Sequence, residues 1–224
     1  MKPITVLLAE DHTIVREGFR KMLELEAGIK VVGEAADGRQ AVALARKLEP
    51  AVVLMDIAMP RLNGLEATRQ LLKAWPAVRV LILSAHSDAA YVQNAVAAGA
   101  AGFLLKQDSA HEVCRAIRTV QKGKTFFSPA VARQLARLLP RASGSGGPRK
   151  KSTSLTSREI EVLQLIAEGR RIKEIAADLG ISAKTAEKHR GHVMDKLDIH
   201  DSAGLARYAI STGIIENSVP LTIT

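Results

Sequence analysis

The sequence predicts an α/β domain with a doubly wound parallel sheet, followed by an all-α domain of four helices. Three observations predict this arrangement. Short apolar runs alternate with amphipathic stretches in residues 1–125, only stretches with helical spacing remain after residue 152, and a segment without large apolar residues separates the two parts. Because a continuous apolar run is typical of a strand covered on both faces, the first domain is expected to hold its sheet between helices.

Each element follows from its pattern. Five apolar runs predict five strands, at Ile4–Ala9, Val31–Ala36, Ala51–Met55, Val80–Leu83 and Gly102–Leu105. Helical spacing predicts the helices that alternate with them, at Ile14–Leu25, Gly38–Leu48, Gly64–Ala74, Ala89–Ala98 and Ala110–Lys122. Four further helices are predicted after residue 152, at Ser157–Glu168, Ile172–Leu179, Ala183–Leu197 and Ser202–Thr212. Five successive β/α units indicate a five-stranded sheet.

A segment without an apolar face lies between the two predicted domains. Pro140–Ser154 reads PRASGSGGPRKKSTS and contains no apolar residue larger than alanine, so it predicts a flexible linker. The expected organisation is therefore a first domain at 1–125, a helical extension and linker at 126–151, and a second domain at 152–224.

Composition restricts the environment and the partners. A formal net charge of +9 favours an anionic partner, but this charge is spread along the whole chain, so that motifs must locate a binding face. The single cysteine, Cys114, excludes an internal disulfide and is typical of a reducing compartment. The N-terminus lacks a signal-peptide apolar region, and no run approaches the roughly 20 apolar residues of a membrane helix. We expect a cytoplasmic protein without a membrane partner.

Charged and hydroxyl side chains stand at the carboxyl ends of the predicted strands. Glu10 and Asp11 follow the first strand, Asp56 follows the third, Ser84 the fourth and Lys106 the fifth. The carboxyl ends of parallel strands form one edge, where α/β sheets bind ligands. Carboxylates bind Mg²⁺ or act as nucleophiles, whereas a lysine and a hydroxyl can hold phosphate oxygens. The pattern predicts a Mg²⁺-dependent phosphoryl-transfer site with Asp56 as nucleophile, since it ends the central strand.

The motifs around these residues are similar to those of a known family. The segments EDH, LMDIAMPRLNGLE, LSAH and GAAGFLLK resemble the receiver domain of two-component response regulators over about residues 3–122. The resemblance implies a flavodoxin-like fold in which Asp56 is phosphorylated by a sensor histidine kinase. It also implies a Mg²⁺ site and a switch, with Glu10, Asp11, Asp56 and the carbonyl of Ala58 binding the metal, Ser84 and Lys106 holding the phosphoryl group, and Phe103 in place of a switch tyrosine.

The second domain carries the pattern of a helix-turn-helix. Thr156 and Glu159 have capping-box spacing at the start of its first helix. Further on, IKEIAADLGIS predicts a short helix, a turn at Gly180, and Ser182 as N-cap of the following helix. Two helices joined by a tight glycine turn are typical of this DNA-binding motif.

The second helix of this motif has distinct inner and outer faces. At 100° per residue, Ala186, Val193 and Leu197 fall on the side that must face the core. The opposite side carries Lys184, Lys188 and Gly191, with Glu187 and His192 on its flanks. A recognition helix reads bases from its N-terminal part. The predicted DNA contacts are Lys184, Thr185, Glu187, Lys188, Gly191 and His192.

This half resembles the LuxR-type helix-turn-helix of the NarL/FixJ group over about residues 152–216, through LTSREIEVLQLIAEG, IKEIAADLGIS, KTAEKHRGHVMDKL and LARYAI. The resemblance implies binding in the major groove of double-stranded DNA by a homodimer that forms on activation. It places the dimer contact on the last helix, at Leu205, Ala209 and Ile210.

Two alternative functions remain open at this point. A phosphorylation-controlled adaptor could use the C-terminal helices to bind another protein, and a DNA-binding assay would separate it from a transcription regulator. A Mg²⁺-dependent enzyme working through an aspartyl phosphate, as in haloacid dehalogenases, needs a second Asp two residues after the nucleophile. Because Ala58 occupies that position, we expect a regulator rather than an enzyme.

Overall fold

The structure is a computed structural model that describes residues 2–85, 88–138 and 155–215, with backbone alone for 134–138. The chain divides into two compact units, Met1–Ser152 and Thr153–Thr224. The predicted linker Pro140–Ser154 lies outside the described residues. None of the described helices is long and apolar enough to cross a lipid bilayer.

The first unit contains a parallel sheet with strands in the order β2-β1-β3-β4-β5-β6. The strands are β1 (Ile4–Ala9), β2 (Ile29–Ala35), β3 (Val52–Asp56), β4 (Arg79–Ser84), β5 (Gly102–Leu105) and β6 (Phe126–Phe127). The five predicted strands are confirmed: β1 and β5 have the predicted bounds, and the ends of the other three are shifted by one or two residues. The sixth strand was not predicted, because two residues are too few to show a periodic pattern.

Six helices accompany this sheet. They are α1 (Thr13–Glu24), α2 (Gly38–Leu48), α3 (Gly64–Ala74), α4 (Ala89–Ala97), α5 (Ala110–Gln121) and α6 (Pro129–Leu138). Three of them begin at side-chain caps, since Asp37, Asn63 and Ser109 each accept a backbone N–H of the first turn. These caps fix where the chain turns from the strand-end edge of the sheet into a helix.

Successive strand residues enter two separate cores, as the alternation of side chains across a sheet requires. On one face, Leu7 and Val53 pack with residues of α2, α3 and α4. On the other face, Val6 and Leu54 pack with residues of α1 and α5. The sheet is thus covered on both sides, which explains why its strands are apolar throughout.

The fold of the first unit continues past the predicted boundary at residue 125. Phe126 and Phe127 pair with Gly102 and Phe103 of β5. Val131 of α6 is fully buried in the same core cluster as residues of α4. The segment predicted as a helical extension therefore packs on the sheet through its first helix.

The second unit is entirely helical where it is described. Its helices are α7 (Ser157–Ala167), α8 (Ile172–Leu179), α9 (Ala183–Leu197) and α10 (Ser202–Ser211), in agreement with the four predicted helices. The predicted capping box is present, with Thr156 and Glu159 bonded in both directions. Gly180 adopts a left-handed φ of 63° at the end of α8, and Ser182 caps α9, so these residues make the predicted turn.

Candidate functional site

Three strand ends bring their charged side chains together at the edge of the first unit. The Lys106 ammonium lies 3.1 Å from Asp56 Oδ2 and 2.9 Å from Glu10 Oε2. The side chain of Asp56 is fully buried and that of Glu10 is 3% exposed. The sequence predicted this meeting from strand ends alone, and the order β1-β3-β4-β5 makes it possible.

The electrostatic balance of this site keeps Lys106 charged. Burial alone would lower the pKa of its ammonium, but the neighbouring carboxylates of Asp56 and Glu10 outweigh burial and raise the pKa above its ordinary value. A charged lysine beside a buried Asp56 is suited to hold the oxygens of an incoming anionic group.

Two further residues extend the acidic site towards solvent. Asp11 is 27% exposed, and its Oδ1 lies 2.8 Å from His12 Nδ1, which also lies 3.2 Å from Glu10 Oε1. The Asp11 carboxylate is the main reason that the pKa of His12 is raised. Sequence reasoning assigned no site role to His12, although its position directly after two acids was the available signal.

The composition of the site fits a hard divalent cation. Glu10, Asp11 and Asp56 supply three carboxylates, against which Lys106 supplies one ammonium. Ligand atoms of Glu10, Asp11 and His12 lie within 4.8 Å of one another. Clustered carboxylate oxygens with an excess of negative charge are the ligand set that Mg²⁺ prefers.

The two residues predicted as a switch lie on the neighbouring strands. Ser84 ends β4, is 1% exposed, and accepts the N–H of Lys106 at its carbonyl over 2.8 Å. Phe103 on β5 is fully buried in the core that contains residues of α4 and α6. Its carbonyl accepts the N–H of Ser128, the residue before α6, over 3.2 Å. Ser84 therefore contacts the acidic site through the backbone of Lys106, and Phe103 links β5 to the start of α6.

In the second unit, α9 exposes the face predicted to contact DNA. Ala186 and Val193 are fully buried, which confirms the predicted inner face. Four of the predicted contacts are exposed, namely Lys184, Glu187, Lys188 and His192. The other two are half-buried. The Thr185 hydroxyl lies 2.8 Å from that of the cap Ser182, and a Cβ added to Gly191 would meet no atom within 4 Å.

A buried carboxylate that sequence reasoning treated only as a helix cap also fixes α9. Glu159 is 5% exposed and accepts a hydrogen bond from Lys196 Nζ over 2.6 Å, while His192 Nδ1 lies 3.9 Å away. Burial raises the pKa of Glu159, but the hydrogen bonds from Lys196 and Thr156 reverse this and hold the pKa below its ordinary value. Lys196 and His192 belong to α9, so Glu159 joins α9 to the start of α7.

The predicted dimer contact needs a correction. Leu205 and Ala209 are fully buried in the core that α10 shares with Leu163 of α7 and Val193 of α9. They are core residues and offer no surface to a second chain, so their assignment to a dimer contact was wrong. Ile210 is half-buried, and its part in a dimer contact stays a prediction.

Comparisons with known proteins assign both units to families. Residues 6–118 match the response regulator receiver domain, and residues 153–209 match the luxR family of bacterial regulatory proteins. The chain is 40% identical to the transcriptional regulatory protein LiaR of Bacillus subtilis over 206 residues, which are 92% of this chain and 96% of LiaR.

Solved structures give the same assignment. The RcsB response regulator of Salmonella typhimurium is 29% identical, with a TM-score of 0.58 over 94% of this chain and all of that one. A structure of two RcsB dimers bound to two parallel DNAs is also 29% identical, with a TM-score of 0.58 over 94% and 99% of the two chains. Together with its buried acidic site and its helix-turn-helix, these matches show that the chain belongs to the two-component response regulators with a receiver domain and a LuxR-type DNA-binding domain, which regulate transcription.

Proposed function

We propose that Asp56 is the phosphoacceptor and that a sensor histidine kinase supplies the phosphoryl group. The observation that carries the proposal is the contact of a fully buried Asp56 carboxylate with the Lys106 ammonium, next to Glu10. Burying a carboxylate at a strand end beside one cation and two more acids costs stability, and such arrangements are concentrated at functional sites. We place this reaction in the cytoplasm.

In the proposed reaction, a carboxylate oxygen of Asp56 attacks the phosphorus of a phosphohistidine. A P–O bond forms while the P–N bond breaks, and its electron pair leaves with the imidazole. The Lys106 ammonium can neutralise charge on the transferred oxygens, and the hydroxyl of Ser84 can donate a hydrogen bond to them once it turns towards them. The residues that would hold Mg²⁺ are Glu10, Asp11, Asp56 and the carbonyl of Ala58. Mg²⁺ bound there would neutralise the charge between the carboxylates and the phosphoryl oxygens.

We further propose that α9 enters the major groove of double-stranded DNA. The exposed N-terminal half of this helix carries Lys184 and Lys188, and lysine can donate to guanine edges or phosphates. Gly191 supports the proposal, because packing within the chain does not require a glycine there. The RcsB dimers bound to DNA support binding as a homodimer.

Phosphorylation is proposed to control dimerisation and DNA binding through β5 and its neighbours. When the Ser84 hydroxyl moves to the phosphoryl group, the Phe103 ring fills the vacated space, as in a two-state switch. The Phe103 carbonyl bonds to Ser128, and Val131 of α6 lies in the same core as Phe103. A displacement of β5 or α4 would therefore reach α6, the last described helix before the second unit.

We expect Mg²⁺ and acetyl phosphate to add one phosphoryl group to the chain, and Asp56→Asn to abolish this addition. The amide keeps the shape of the side chain but removes the nucleophile. Intact-mass measurement records the modification. Asp178→Asn in the second unit is the matched control and should label as the parent does; equal labelling of Asp56→Asn would show that the acceptor lies elsewhere.

We expect Lys188→Ala to weaken DNA binding by about 1–3 kcal/mol and to relax sequence preference, as loss of a base contact does. Lys184→Ala should weaken binding evenly across sequences and reduce the slope of log K against log salt by about one. Titration of selected and random duplexes at several salt concentrations measures both effects. Lys21→Ala removes the same charge from the first unit and should change neither. Unchanged binding in both α9 variants would favour the protein-binding adaptor.

We expect Gly191→Ala to have opposite effects on folding and on binding. Alanine replaces glycine in the middle of α9 with open space around the new Cβ, so the second unit should gain about 0.5–1 kcal/mol of unfolding free energy. The same methyl group should weaken DNA binding if the backbone at Gly191 approaches DNA closely. Thermal unfolding measures the change in stability, and duplex titration of the same preparation measures the change in DNA affinity. A stabilised variant with unchanged affinity would place DNA away from Gly191.

Phosphorylation of the full chain should increase both self-association and DNA affinity, because a dimer reads two half-sites. Sedimentation and duplex titration, with and without acetyl phosphate, measure these changes. A fragment from Gly147 onward should bind DNA without phosphorylation. If phosphorylation changes neither quantity in the full chain, the two units act independently.

A further inference from the structure

The loop that follows Asp56 is compact and closes on itself. It covers residues 57–63 between β3 and α3, and it contains Ala58. The Ile57 carbonyl accepts the N–H of Met59 over 3.1 Å and that of Gly64 over 2.8 Å. Its path therefore sets where the backbone of Ala58 lies relative to the Asp56 carboxylate.

A second loop holds this one from the side. The guanidinium of Arg61 forms an ion pair with Oδ2 of Asp37, whose side chain is fully buried at the start of α2. The other oxygen of Asp37 accepts the N–H of Gln40 over 2.9 Å. The N–H of Gly38 donates to the Leu62 carbonyl over 3.1 Å. One charged contact and one backbone bond thus join the start of α2 to the loop after Asp56.

The joined loops have almost no spare room. A Cβ added to Gly38 would lie 2.2 Å from the Leu62 carbonyl oxygen, and one added to Gly64 would lie 1.8 Å from that of Asp56. Both obstacles are backbone atoms, which cannot swing aside as a flexible side chain does. Any shift of this loop is therefore passed to the backbone of Asp56.

Arg61 adopts an unfavourable backbone conformation, which other contacts must stabilise. Its φ of 65° is left-handed, which is unfavourable for a residue with a Cβ. Such a conformation persists when the surrounding contacts determine it. The ion pair with the buried Asp37 is a contact of that kind, and glycine would satisfy the backbone at residue 61 but would lose the charge.

We propose that Asp37 and Arg61 are positioning residues for the phosphoacceptor site. They act on the loop 57–63, and through it on the backbone of Ala58 and Asp56, without touching the transferred group. This inference rests on the proposed role of Asp56. Residues that hydrogen-bond directly to metal ligands typically change metal affinity or activity by about 10–100-fold, and residues that act through the loop backbone are expected at the low end of this range.

Asp37→Asn tests the ion pair of Asp37 with Arg61 separately from the role of Asp37 as the N-cap of α2. Asparagine caps helices about as well as aspartate, so α2 keeps its start, whereas Arg61 loses the charge it binds. In the full chain we expect the dissociation constant for Mg²⁺ to rise about tenfold, the low end of that range. Calorimetric titration with Mg²⁺ alone measures this constant, and acetyl phosphate labelling at saturating Mg²⁺ should also slow.

Arg61 variants supply the second test, since Arg61 is 41% exposed and its replacement leaves no buried cavity. Arg61→Gln should reproduce the loss seen in Asp37→Asn, and Arg61→Lys, which keeps the charge, should recover part of it. The double variant Asp37→Asn with Arg61→Gln should lose no more than either single one, because each single change already removes the same ion pair. Additive losses would mean that the two residues act separately on the site.

Glu26→Gln is the matched control. It breaks the ion pair between Glu26 and Arg118, 2.7 Å long and also within the first unit, and should leave Mg²⁺ affinity and labelling unchanged. If the parent is labelled at Asp56 but Asp37→Asn and Arg61→Gln bind Mg²⁺ and label as the parent does, the positioning role is overturned while the phosphoacceptor stands. If Asp56→Asn is labelled like the parent, the phosphoacceptor assignment fails, and the Mg²⁺ titrations still decide whether the pair supports the metal site.

Discussion

The buried contact of Lys106 with Asp56 and Glu10 is the constraint on which the first unit depends. Two carboxylates enclosed by protein repel each other, and the ammonium between them is what makes their burial tolerable. Each of the three residues comes from a different strand end, so the contact requires β1, β3 and β5 to lie in one parallel sheet. Removing Lys106 would leave an uncompensated acidic pair, whereas Mg²⁺ between the carboxylates would relieve it. The same three charges therefore constrain both the arrangement of the strands and the chemistry of the site.

Each unit of the chain contains a buried carboxylate that forms an ion pair with a lysine from an element distant in sequence. In the second unit, Glu159 on α7 binds Lys196 on α9, and it also completes the cap of its own helix. There the hydrogen bonds satisfy the carboxylate, and its pKa is lowered. In the first unit the acids outnumber the lysine, and the excess negative charge suits a bound cation. The same physical pairing thus supports a rigid scaffold in one unit and a reactive site in the other.

Sequence reasoning succeeded where a pattern in the residues or a topological rule applied, and it failed where a contact was assigned by family resemblance alone. Continuous apolar runs predicted the strands, and the inner face of α9 followed from helical spacing. Leu205 and Ala209 were assigned to a dimer contact by resemblance, yet α10 uses them to pack against α7 and α9. Spacing identifies an apolar stripe but does not state what covers it. The strand Phe126–Phe127 has two residues, which is too short for a periodic pattern to be recognised.

The residues at the strand ends can be identified without a structure, because an apolar run has a readable end and parallel strands share one edge. This is enough to assign Glu10, Asp56 and Lys106 to one site. The contact of Arg61 with Asp37 could be found in the folded chain alone, since it joins two irregular loops and depends on the left-handed turn of the chain at residue 61. Loop paths have no repeating pattern, and contacts between them are set by packing and charge after the sheet has formed.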